Sequence, residues 1–94
     1  MDKEQIYNLL KVQGYPVFML EKTYAKIEKF QPEIAKAFEQ WVNTGAYPEL
    51  TIEGYTFTYL VNNMNMKPVG AFITLDWLIR EPEEAKKALR QGIK

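Results

Sequence analysis

The 94-residue chain balances twelve Lys and Arg against twelve Asp and Glu, and it contains no His, Cys or Ser. Formal neutrality removes any overall field that would steer it toward nucleic acid or an anionic membrane, so charge-led binding needs a local patch. The missing residue types remove most nucleophile, base and thiolate-ligand chemistry, while the length suits one domain (residues 1–94) that buries roughly two-thirds of its unfolded surface without disulfide or metal.

The opening Met1-Asp2-Lys3-Glu4-Gln5 lacks the basic start and apolar run of a secretory signal, and the longest apolar stretch is about half a membrane span. A soluble, cytoplasmic protein is the expectation. Ile6, Leu9 and Leu10 then recur at helical spacing until Gly14-Tyr15-Pro16 stops a short first helix. Between Pro16 and Phe30, the positions Val17, Leu20, Tyr24 and Ile27 trace one inward face of a second helix. Lys22, Lys26 and Lys29 lie opposite that stripe as an outward basic ridge, flanked by Glu21 and Glu28.

Pro32 disfavours helix at Gln31 but suits the first turn of a third helix, whose stripe is Ile34, Phe38, Trp41 and Val42 and whose end falls near Asn43-Thr44-Gly45. Leu50 to Tyr59 alternates apolar and polar residues around a candidate hairpin turn at Glu53-Gly54. Thr56 can equally cap a helix with Leu60, Val61 and Met64 facing inward. The favoured reading is a short extended piece followed by that helix.

Pro68 opens the central helix, which carries the run Val69 to Ile79, apolar except for Thr74 and Asp76. A helix greasy on nearly every side must be covered on nearly every side. Ala71, Leu75, Leu78 and Ile79 share a core face with Phe72 beside them. Ile73 and Trp77 lie on the far side with Gly70, where the final helix or a partner must cover them, and docking of the final helix is the expectation. Asp76 and Arg80 stand four apart in the favoured order for an intrahelical ion pair, which is the reading preferred over a catalytic carboxylate. Glu81-Pro82-Glu83-Glu84 then starts a last helix running to about Gln91, with Lys86, Lys87 and Arg90 in its later turns and Ala85, Ala88 and Leu89 inward.

No metal-ligand spacing and no phosphate-cradling glycine loop is present, so no cofactor is expected. The stretch Thr56 to Leu78 resembles the apolar spacing of a helix-turn-helix, with Leu60 and Val61 in its first helix, Met64 and Met66 around the turn, and Ala71, Leu75 and Leu78 inside its second. Leu75 to Glu81 also looks like the end of that helix in some small winged-helix proteins. The resemblance implies DNA contact by the central helix. Base reading, however, needs Arg, Lys, Asn or Gln at the exposed start of such a helix, where this chain has Pro68, Val69, Gly70 and Ile73.

The sequence therefore predicts an all-α, compact orthogonal bundle of five or six short helices with a minimal β element near residues 50–57. The expected function is a non-enzymatic protein-interaction or regulatory module. Its contact surface is predicted at Val69, Ile73 and Trp77, extended by exposed tyrosines among Tyr47, Tyr55 and Tyr59. The partner expected is another protein, with a second copy of the chain allowed and no membrane. The alternative is a nucleic-acid-binding protein of helix-turn-helix type that uses Lys22, Lys26, Lys29 and Lys67 for phosphates.

Overall fold

The computed structural model describes residues 2–92, which form an all-α bundle with one minimal β element. Helix α1 (Lys3–Val12) starts at a capping box: the Gln5 amide donates to Asp2 Oδ1 at 2.8 Å, and the Asp2 amide donates to Gln5 Oε1 at 3.1 Å. Two amides that the helix itself leaves unpaired are satisfied together. Ile6 and Leu10 are its buried positions.

Gly14 follows with φ +91°, a conformation that favours glycine, and turns the chain toward Tyr15 and Pro16. A Cβ there would also sit 3.0 Å from Lys67 Nζ. Gly14→Ala is therefore expected to cost about 1–2 kcal/mol, chiefly from backbone strain because the lysine tip can move aside. Thermal unfolding checks this, and an unchanged midpoint would show that the turn relaxes freely.

Helix α2 (Val17–Glu28) packs against α1, with the Tyr7 and Tyr24 rings edge-on at 5.8 Å. Its inward face is rotated from the expected stripe. Leu20, Thr23 and Ile27 are buried and Tyr24 is half-buried, but Val17 is exposed. At about 100° per residue Val17 lies roughly a quarter-turn from the centre of the buried sector, and Thr23 takes the place that periodicity gave it.

Helix α3 (Pro32–Thr44) has proline in its first turn and ends at Gly45, whose amide donates to the Trp41 carbonyl. Ile34, Ala37, Phe38 and Trp41 are buried, and Val42 is half-buried at the edge of the stripe. Strands β1 (Thr51–Ile52) and β2 (Tyr55–Thr56) pair antiparallel, with Thr51 opposite Thr56 and Ile52 opposite Tyr55. Glu53 and Gly54 between them have φ of 52° and 85°, the pair of positive values that a type I′ hairpin requires. The hairpin then passes directly into α4 (Phe57–Asn62), capped by Thr56 Oγ1 accepting from the Tyr59 amide at 3.0 Å. Both readings of this stretch hold, one after the other.

Helix α5 (Pro68–Arg80) is the centre of the fold, in contact with α3, α4 and β1 and with α6 (Pro82–Arg90). Phe72 on α5 meets Phe57 at 4.6 Å, Phe38 at 5.4 Å and Trp41 at 5.7 Å between ring centroids, joining three helices in one aromatic cluster. Helix α6 docks through Ala85 and Leu89. Lys86 Nζ also reaches Glu53 at 3.1 Å and so ties α6 to the hairpin turn.

The hydrogen bond from Lys86 to Glu53, with Glu83 adding charge attraction, holds the Lys86 amine above its ordinary value of 10.5. A raised folded-state value means that this contribution is complete below the ordinary lysine range and is lost only as pH rises through the folded value. Stability near neutrality should therefore not feel the pair titrate. Glu53→Gln should lower the Lys86 midpoint in an NMR titration of the side-chain amine; an unmoved midpoint would show that the contact does not persist in solution.

Candidate functional site

Two adjoining grooves run along the outer side of α5. The first, of about 490 Å³, is lined by Lys26, Lys29 and Phe30 from the end of α2 and by Ile73, Thr74, Asp76, Trp77 and Arg80 from α5. The second, of about 470 Å³, is lined by Tyr15, Met19, Thr23, Asn65, Met66, Lys67 and Gly70 and shares Lys26, Ile73 and Thr74 with the first. Together they make one trough along α5. Its lining along α5 runs from Lys67, just before the helix, to Arg80, a span of about 20 Å at the helical rise.

The central helix explains why the trough is there. Val69, Ala71, Phe72, Thr74, Leu75, Asp76 and Leu78 are buried, which closes most of its circumference. The sector holding Arg80, Ile73, Trp77 and Gly70 stays open, roughly 80° wide on a helical projection, while Ile79, expected on the core face, is only half-buried in the last turn. Val69 was expected on this outward surface, but it is fully buried. It projects about 40° to the closed side of Ile73, a difference too small for periodicity to rank without knowing which neighbours pack there. Ile73 and Trp77 are half-buried, as an outward pair requires. The first groove's second wall is the end of α2, and its lining includes no residue of α6, so the open side of Ile73 and Trp77 faces α2.

The gap between α2 and α5 is bridged at one end by Asp76 and Arg80. Arg80 Nε donates to Asp76 Oδ2 at 2.6 Å, so the intrahelical pair forms as the spacing predicts. Two further bonds were not legible from spacing. Asp76 Oδ1 accepts from the Gln31 amide at 2.9 Å, at the start of α3, and Arg80 Nη2 donates to the Lys29 carbonyl at the end of α2. Helix ends leave backbone groups unpaired, and here one ion pair on α5 satisfies one from each of two successive helices. Asp76 is thus a clasp over the α2–α3 junction, with both oxygens engaged.

The charged rim is one-sided. Lys26 and Lys29 stand on the α2 wall, Arg80 closes one end, and Lys67 lies near the other with its amine 5.1 Å from the centroid of the Tyr15 ring. Among the described residues neither Lys26, Lys29 nor Lys67 has a carboxylate partner within salt-bridge distance. Asp76, the one lining carboxylate, is already held by Arg80. Burial pushes the Tyr15 phenol above its ordinary value, so it lines the trough as a neutral group.

The trough therefore unites residues predicted for two separate surfaces: Ile73 and Trp77 from the protein-contact set, and Lys26, Lys29 and Lys67 from the phosphate-contact set. Lys22 is exposed on α2 and lines neither groove. Tyr55 and Tyr59 pack on each other at 6.2 Å beside the hairpin, and Tyr47 packs edge-on against Phe57 at 5.0 Å; none of the three reaches the trough. Met19 and Phe30 complete its apolar wall and were missed, because Met19 lies off the inward stripe of α2 and Phe30 is a buried residue just past that helix's end. Exposed Val12, Val17 and Phe18 were also missed as a surface feature; Phe18, 84% exposed, points almost opposite the buried face of α2.

The helix-turn-helix resemblance finds a short helix, a five-residue connection and a longer helix at the expected places, α4 and α5. The connection exceeds the usual three- to four-residue turn. The start of α5 presents half-buried Pro68, buried Val69 and half-buried Gly70, none of which carries a base-reading side chain. No group of His, Cys, Asp and Glu among the described residues is arranged to hold a metal ion, and no helix among them is long and apolar enough to cross a membrane. No family model, no curated protein and no solved structure matches the chain.

Proposed function

We propose that this chain is a non-enzymatic protein-interaction module that receives a segment of another protein in the trough between α2 and α5. The observation that carries the reading is the half-covered pair Ile73 and Trp77, the apolar part of a central helix that is closed around most of its circumference. Aromatic side chains recur among interface anchors, and grooves between helices take amphipathic segments through apolar anchors. Asp76 offers no support for acid–base chemistry, since both of its oxygens are engaged in the clasp. The proposal keeps the cytoplasm as the setting and a second copy of the chain as a competing occupant, which sedimentation tests directly.

Nucleic-acid binding is the second reading, favoured by the convergence of Lys26, Lys29 and Lys67 on one rim. The floor between them is apolar, which suits a side-chain anchor better than a phosphate backbone. A displayed library of random peptides selected on the folded chain separates the two. Enriched peptides should carry helical apolar spacing, lose binding to an Ile73→Lys variant, and shift Trp77 emission to shorter wavelength in a Trp41→Phe background. No enrichment, or enrichment indifferent to Ile73→Lys, would overturn the proposal. A saturable complex with duplex DNA or RNA that collapses steeply with salt would replace it with the second reading.

A further inference from the structure

We infer that the occupant of the trough is an acidic amphipathic helix, a deepening that rests on the protein-interaction reading above. Shape argues for a helix. The trough is about 20 Å long and bounded by α2 and α5, so it accommodates three to four turns laid along it, with apolar side chains at i, i+3, i+4 and i+7 reaching Ile73 and Trp77. A single extended strand would leave its backbone amides without partners, because the walls are helices whose own backbone groups are already bonded.

Charge argues for acid. Lys26, Lys29 and Lys67 flank the apolar floor with no carboxylate partner among the described residues, and Arg80 adds a fourth cation whose guanidinium is held by Asp76. The chain as a whole is neutral, so this one-signed rim is a local concentration and not a reflection of composition. A helix with Glu or Asp beside its apolar stripe gains attraction along the α2 wall and at the Lys67 end; one with Lys or Arg meets like charge at short range. The same rim disfavours a second copy of this chain that would present its own lysine ridge on α2.

The test uses the full chain as bait for a displayed library of 16-residue helices with Leu fixed at the apolar positions and flanking positions varied among Glu, Gln and Lys. The expected result is enrichment of Glu over Lys at the flanks by tenfold or more. A second bait, Lys26→Glu with Lys29→Glu and Lys67→Glu, should reverse that preference, its fold checked by circular dichroism. These three side chains are exposed, so the change is compatible with folding. Enrichment of apolar helices without charge preference, or a preference unchanged on the second bait, overturns the inference while leaving the interaction reading intact. Absence of any enrichment relative to an Ile73→Lys bait overturns both. Tighter binding of a 12-nucleotide single-stranded RNA than of the enriched helices, lost on the second bait, assigns the rim to nucleic acid and also overturns the inference.

Discussion

Phe72→Ala is expected to lower the unfolding free energy by about 3–5 kcal/mol, the range for emptying a buried aromatic site. Phe72 is fully buried and its ring meets Phe38, Trp41 and Phe57, so truncation opens a cavity where three helices and the end of the hairpin converge. Domains of this kind hold about 5–15 kcal/mol in total, so the variant should sit close to its folding threshold. Urea unfolding followed by circular dichroism measures the loss, with Phe72→Leu as a milder companion that refills part of the volume. A loss below about 1 kcal/mol for the alanine variant would mean that the cluster does not anchor the bundle.

Asp76→Ala is expected to cost about 2–4 kcal/mol, because it leaves the part-buried Gln31 amide without its acceptor and removes the carboxylate that holds Arg80 across the α2–α3 junction. Asp76→Asn keeps an oxygen for the Gln31 amide and should cost about half as much. Arg80→Ala should fall near 1–2 kcal/mol, more than a fully exposed pair would lose, since the carboxylate it leaves is only 11% exposed while the Arg80 side chain is 39% exposed. Urea unfolding of the two single variants and the double variant closes a cycle. Additive losses would show that the clasp is not cooperative, and a cost of Asp76→Ala below about 1 kcal/mol would remove it as the link between α2, α3 and α5.

The candidate site was half legible for a physical reason visible in its own residues. Ile73 and Trp77 stand out because helical periodicity separates them from Ala71, Leu75 and Leu78 within one element. The lysine ridge stands out in the same way within α2. That Lys26 and Lys29 share a trough with Ile73 and Trp77 is a statement about how α2 lies beside α5, and no spacing within either helix encodes it. The bond from the Gln31 amide to Asp76 spans 45 positions and is equally silent in local pattern.

What the sequence determined by itself lies within a few residues of each signal. Pro32, Pro68 and Pro82 each start a helix, Gly45 ends one, Thr56 caps one, and Glu53-Gly54 makes the hairpin, because φ restriction, missing donors and side-chain caps act on the adjacent backbone. The tertiary structure alone decided how far each helix rotates about its axis. It buried Val69 and Thr23, left Val17 and Phe18 in solvent, and set the open side of Ile73 and Trp77 beside α2. Those outcomes depend on which surfaces meet, and apolar burial is non-directional, so several rotations satisfy the same periodic pattern until contacts among all six helices select one.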